Sequence, residues 1–257
     1  MKPFILPFIL FVFVSCSPNK KQIETKNDTS ILTYSTRAVL PHDTQAFTEG
    51  LLFYNGKVFE STGGSQSWIA EVDIESGAQD KKIQLTKEYF GEGITILNNK
   101  IYQLTWKNKV GFIYDLHTYK KLAEFSYEFE GWGMTHDHHH LIVSNGTETL
   151  YFLDSIECKV KKKISVKEKG AKATNLNELE FIEGYIFANQ WETNYILKID
   201  PNNGEVVGKL DLSEFVKKAK WMYPQADVLN GIAYNERTKD ILITGKFWPL
   251  SFFIRLN

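Results

Sequence analysis

Two glutamates in this 257-residue chain stand in closely similar surroundings: Phe47-Thr48-Glu49-Gly50-Leu51 and Phe90-Gly91-Glu92-Gly93-Ile94, with Gly50 and Gly93 43 residues apart. A carboxyl group beside an aromatic ring is a proton carrier with an apolar wall next to it, the pairing that general acid–base chemistry needs. Three other segments open comparably, at Gly131-Trp132-Gly133-Met134, Asn177-Glu178-Leu179-Glu180 and Asn230-Gly231-Ile232-Ala233. Each of the five runs through a strand and a tight turn into a second strand that ends on a polar or aromatic residue. Alignment puts Phe47, Glu49, Phe90, Glu92, Trp132 and Asn177 at equivalent early positions, and Trp106, Trp191 and Lys246 at equivalent later ends. Acids, an amide and a lysine among rings make a polar site inside an aromatic cup. Taken singly, each is more simply a packing or turn-capping residue. Their coincidence in five units points to a common centre.

The elements that must bring them together are short strands. From Ile31 onward turn signals separate apolar strands, and helical period is weak except over Leu212–Lys220, so an all-β class is expected. A period of about 40 to 50 residues with four strands per unit is the signature of a β-propeller, here five-bladed. Asp73, Asp115, Asp154 and Asp200 each end an apolar strand, where the side chain bonds its own turn and starts the outer hairpin of a blade. The chain ends on a strand, Phe252–Leu256, and Ile31–Val39 is a strand without a repeat of its own. Pairing that N-terminal strand with the last blade closes the ring and removes open edges. A β-sandwich leaves the recurring units unexplained.

Thirty basic and thirty-one acidic residues give a formal charge of -1, which excludes broad attraction to nucleic acid. Lys2 and the apolar run Pro3–Val14 have the form of a signal peptide, too short to span a bilayer as a helix. Phe13-Val14-Ser15-Cys16 resembles a bacterial lipobox. Residues 1–15 therefore read as a signal peptide, with Cys16 as the acylation site; residues 16–30 read as a flexible tether and residues 31–257 as the propeller domain. The expected protein is an exported monomer, periplasmic or at the cell surface, held to the membrane by its lipid. Cys158 then has no partner, so neither a disulfide framework nor a cysteine-based zinc site is expected.

The strings FTEGL, ESTG, FGEGIT, QLTW, GWGMT, LNELE, ANQW, LNGIAY and TGKFWP, in order from near residue 41 to the C-terminus, resemble the motifs of the plant and bacterial glutaminyl-peptide cyclotransferases. The resemblance implies a five-bladed propeller that converts the N-terminal glutamine of peptides and proteins to pyroglutamate with release of ammonia. It implies Glu92 as the acid/base, Asn177 and Lys246 as polar partners, and Phe47, Phe90, Trp106, Trp132 and Trp191 as the substrate cup, with no metal or other cofactor. Glu49 departs from the pattern, which usually has Gln there. A second carboxylate near Glu92 raises the proton affinity of one of the pair. The competing expectation is a non-catalytic surface propeller that binds peptide ends or glycans.

Several signals are assigned to structure. His136-Asp137-His138-His139-His140 reads as a hairpin turn, since consecutive side chains cannot all face one ion. Asn27-Asp28-Thr29 and Asn145-Gly146-Thr147 read as turns, and the lysine-rich stretch Lys159–Lys172 as a solvated outer strand and loop. Trp68, Trp221 and Trp248 are expected to pack.

Overall fold

The computed structural model describes Met1 and residues 29–257. The signal peptide, Cys16 and nearly all of the tether lie outside the described residues.

Five four-stranded antiparallel sheets form the blades. Blade I comprises Thr48–Tyr54, Lys57–Thr62, Trp68–Val72 and Gln79–Gln84. Blade II comprises Gly91–Leu97, Lys100–Thr105, Val110–Asp115 and Lys121–Ser126. Blade III comprises Met134–His136, His140–Val143, Thr149–Asp154 and Val160–Ser165. Blade IV comprises Leu176–Ile182, Tyr185–Gln190, Tyr195–Ile199 and Val206–Asp211. Blade V takes Leu229–Asn235, Asp240–Gly245 and Leu250–Leu256 from the end of the chain and its outermost strand, Tyr34–Pro41, from near the start. The inner strands contact one another in sequence and the fifth returns to the first, so the ring is closed.

Polarity sorts the strands radially. Gly91–Leu97 is buried throughout, with a blade on either side, whereas the outermost Lys121–Ser126 is mostly exposed. Apolar clusters fill the wedges between neighbouring blades; that between IV and V joins Leu229, Ile243 and Phe252 to Leu212, Phe215 and Val216. The helix expected over Leu212–Lys220 is present as Ser213–Met222, and its Phe215 stacks on Phe252 at 4.1 Å.

The four turn aspartates behave as expected: Asp73 Oδ1 accepts the Ser76 N–H at 2.8 Å, Asp115 that of Thr118 at 2.7 Å, Asp154 that of Ile156 at 2.8 Å and Asp200 that of Asn202 at 2.9 Å. The histidine-rich segment is the hairpin between Met134–His136 and His140–Val143, with Asp137 Oδ1 accepting the His139 and His140 N–H groups. Asn145-Gly146-Thr147 is a turn, and Lys161, Lys162 and Lys163 lie on the exposed outermost strand of blade III.

Two expectations need correction. The N-terminal strand is divided: Ser30–Ile31 runs parallel to Val206–Asp211 of blade IV, and only Tyr34–Pro41 pairs with Leu250–Leu256 of blade V. The closing segment thus staples two blades. Trp248 and Trp68 pack as expected, but Trp221 is 83% exposed. The helix buries Phe215, Val216 and Ala219, and Trp221 lies two positions, or about 200°, beyond Ala219 on the opposite face.

Candidate active site

One repeat position builds the hub. In blades I, II, IV and V the pairing of the first two strands slips between Thr48 and Gly50, Gly91 and Ile94, Leu176 and Leu179, and Leu229 and Ile232. A bulge of this kind re-aims the side chains it carries. The residues so placed are Glu49, Glu92, Asn177 and Asn230, and Trp132 stands at the same point ahead of the short inner strand of blade III. Four of the five are followed by glycine: at Gly50, Gly93 and Gly133 the next blade's backbone passes close by, and Gly231 holds a φ of 120°. A Cβ on Gly93 would overlap the backbone from Trp132 to Met134, and one on Gly133 would overlap the Asn177 carbonyl. The fifth is followed by Glu178, whose carboxylate accepts the Leu51 N–H at 3.3 Å and the Ile232 N–H at 2.9 Å, bracing blade IV against I and V.

Neighbouring blades also fix the backbone of the polar residues. Ser61 Oγ donates to the Glu92 carbonyl at 2.6 Å, and Ser144 Oγ donates to the Asn177 carbonyl at 2.7 Å. Lys246 follows the second strand of blade V, with its N–H on Val228 O at 3.0 Å. Its Nζ lies 2.6 Å from Glu49 Oε1 and 4.2 Å from the Phe47 ring centre. Asn230 Nδ2 donates to Thr48 O at 2.9 Å and to Glu49 Oε2 at 3.3 Å.

Glu92 is only 5% exposed, and its carboxyl has no hydrogen-bond partner among the described residues. Burial, together with the negative charges of Glu49 and Glu130 and against the pull of Lys246, holds its pKa well above the carboxylate range. Burial also raises Glu49, to about 7, with Lys246 opposing. Asn177 Oδ1 is buried without a partner, and the rest of that amide makes no hydrogen bond to a described residue.

The rings form a connected wall. Phe47 meets Phe90 edge-on with centroids 6.0 Å apart, Phe90 lies 5.6 Å from Trp106, and Trp132 meets Trp191 edge-on at 5.6 Å. The gap between Trp106 and Trp132 is bridged by Glu130, whose Oε2 accepts the Trp106 indole N–H at 2.8 Å and the Trp132 indole N–H at 3.2 Å. Phe247 continues the wall from Phe47 at 5.0 Å. Its φ of 59° is a left-handed conformation that costs a bulky residue about 1–3 kcal/mol, a strain typical of functional sites.

The residues singled out from sequence therefore lie at the starts of the inner strands and just past the ends of the second strands. Lys246 joins Glu49 to the Phe47 ring, and Glu92 is within reach of the charges of Glu49 and Lys246. Phe47, Phe90 and Trp106 run on from one another, Trp132 pairs with Trp191, and Asn177 stands at the matching point of blade IV. Sequence reasoning missed Glu130, Phe247 and Asn230. The other mouth of the channel, at the far ends of the inner strands, opens into a cavity of about 790 Å³ with Thr135, His136, Glu180 and Arg237 in its wall. It shares no residue with the cup. Burial raises Glu180 there to about 8, while its carboxylate accepts the Tyr234 N–H at 2.8 Å.

Fold and hub together define a β-propeller enzyme. A family model described as glutamine cyclotransferase matches residues 8–256. The glutaminyl-peptide cyclotransferase of Arabidopsis thaliana is 38% identical over 224 residues, which is 86% of this chain and 70% of that protein. The crystal structure of Myxococcus xanthus glutaminyl cyclase superposes with a TM-score of 0.84 at 33% identity, covering 90% of this chain and 99% of the other. The chain belongs to the glutamine cyclotransferase family.

Proposed function

We propose that this enzyme cyclises the N-terminal glutamine of peptides and proteins to pyroglutamate, with Glu92 carrying the proton. The observation that carries this reading is the Glu92 carboxyl itself, buried, without a hydrogen-bond partner among the described residues, and within reach of the charges of Glu49, Lys246 and Glu130. A peptide α-amine has a pKa of about 7.7–8.0 and must be neutral to attack. Its nitrogen forms a bond to the γ-carboxamide carbon while a proton passes to Glu92. The tetrahedral intermediate then breaks its bond to the amide nitrogen, which takes the proton back from Glu92 and leaves as ammonia. A carboxyl group of raised proton affinity suits both halves of that cycle.

Lys246 keeps two N–H groups beyond the one on Glu49, and the Asn177 amide has its own unspent donors; both are suited to the oxyanion. The rings hold the glutamine side chain folded against its own amine, which favours closure of the five-membered ring. Glu49 orients Lys246 and adds to the proton affinity of Glu92, shifting activity toward higher pH. Incubation with Gln-Ala peptides and measurement of ammonia and of the cyclised product by mass tests this reading. No release from a folded sample would leave a propeller that binds peptide ends or glycans.

The chain is further proposed to act outside the cytoplasm as a monomer tethered through acylated Cys16. Support comes from the apolar N-terminal run and Phe13-Val14-Ser15-Cys16. Incorporation of labelled palmitate, abolished by Cys16→Ser, tests the anchor; light scattering of the released domain tests the monomer.

A further inference from the structure

A peptide whose terminal glutamine sits beside Glu92 must carry its other residues out past the rim. Along Trp106, Glu130, Trp132 and Trp191 the rim is held shut by indole–carboxylate hydrogen bonds and the edge-on indole pair. On the opposite side the wall is shared. Phe47, Phe90 and Phe247 line both the cup and a cleft of about 520 Å³ that crosses the top of blade I from Gly63, beside its second strand, to Lys82 on its outermost strand. That volume lies within the range of about 300–1,000 Å³ in which ligands are bound.

The cleft has hydrogen-bonding groups to spare. Gln45, Ser65 and Gln66 line it, and their side chains have no hydrogen-bond partner among the described residues. Hydroxyl and amide groups of this kind pair with the N–H and C=O groups that every peptide carries, whatever its side chains. Gln79 and Asp43 are already engaged with each other at 2.6 Å, and Asp43 also accepts the Gln45 N–H at 2.9 Å. Lys82 is different: its Nζ stands 4.5 Å from the centre of the Trp68 ring, and it has no carboxylate partner among the described residues. Packing against the indole holds the ammonium without neutralising it.

Resting on the cyclase reading above, we propose that this cleft is the subsite for the second to fourth residues of the peptide substrate, and that Lys82 favours acidic side chains at its outer end. Backbone pairing along Gln45, Ser65 and Gln66 gives affinity, and the Lys82 ammonium gives selectivity.

The test compares kcat/KM for Gln-Ala-Glu-Glu-Ala and Gln-Ala-Lys-Lys-Ala in the wild type, Lys82→Ala and Lys82→Glu, with Gln-Ala as a reference substrate. Lys82 is exposed, so both variants are expected to fold. The wild type should favour the acidic peptide by roughly three-fold, the scale of an exposed ion pair. Lys82→Ala should abolish the preference and Lys82→Glu reverse it, with both effects fading in high salt. Equal ratios in all three proteins, with every peptide turned over, would overturn the subsite and leave the activity standing. Failure to turn over any peptide, Gln-Ala included, would instead overturn the cyclase reading and the subsite with it.

Discussion

Lys246 Nζ lies 2.6 Å from Glu49 Oε1, and both side chains are almost wholly removed from solvent. The charge on Glu49 also reaches Glu92, where it raises the proton affinity that burial has already increased. Replacing Glu49 by Gln removes the negative charge and leaves the Lys246 cation facing Glu92. Both changes favour the Glu92 carboxylate, so the limb of the kcat/KM profile that reports loss of the Glu92 proton should move to lower pH. Coincident profiles for wild type and Glu49→Gln would remove Glu49 from the mechanism.

Glu92→Gln separates chemistry from structure, because the Glu92 carboxyl bonds to no described residue and an amide of the same shape breaks nothing. Turnover of Gln-Ala should fall by about 10²-fold or more, the contribution of a positioned acid–base group. The thermal midpoint should hold or rise, since a buried ionisable group has been replaced by a neutral one. Retained activity in the variant would mean that another residue carries the proton.

The parts of this site that were legible in sequence are those the repeat repeats. Glu49, Glu92, Trp132 and Asn177 occupy one column of the alignment, and a propeller brings one column to one ring, so their convergence follows from periodicity alone. Asn230 stands in that same column and was readable by the same rule, yet its role depends on a bond to Glu49, which only coordinates reveal. Glu130 lies in the connection between blades II and III and has no counterpart in the other repeats. Phe247 reaches the cup through a left-handed turn that no strand pattern encodes. The division of the N-terminal strand was hidden for a related reason: its two halves serve different blades, while Ile31–Val39 reads as one uninterrupted strand.

Glu130 bridges two indoles and adds negative charge near Glu92, and two substitutions divide these roles. Glu130→Ala loses both hydrogen bonds and lets Trp106 and Trp132 move. The two bonds together are worth about 2–3 kcal/mol; with about half of that falling on substrate binding and the rest on the stability of the rim, KM should rise about tenfold, more than kcat falls. Glu130→Gln keeps a carbonyl oxygen for the indoles but drops the charge, so KM should stay near the wild-type value while the Glu92 limb moves to lower pH. Identical behaviour of the two variants would show that only one of these roles exists.

His42 closes the ring. It follows the strand Tyr34–Pro41, and its Nδ1 lies 2.8 Å from Trp248 O of blade V while its Nε2 lies 3.0 Å from Glu60 Oε1 of blade I. Both partners are acceptors, so both nitrogens donate only when the ring is the imidazolium. Burial alone lowers the His42 pKa, but the Glu60 charge and hydrogen bond and the Trp248 carbonyl outweigh it and raise the pKa above 6.5. The folded state therefore binds the proton more tightly than the unfolded chain. Its stabilisation is complete below about pH 6.5 and is lost as pH rises through the native value. A hydrogen bond to a charged group contributes about 1.5–3 kcal/mol, and His42→Gln should be less stable than wild type by about that amount under mildly acidic conditions. The gap should narrow in alkaline solution, as measured by urea midpoints across the range. A gap independent of pH would mean that His42 holds blades I and V together as a neutral ring, and that the imidazolium has no part in closing the propeller.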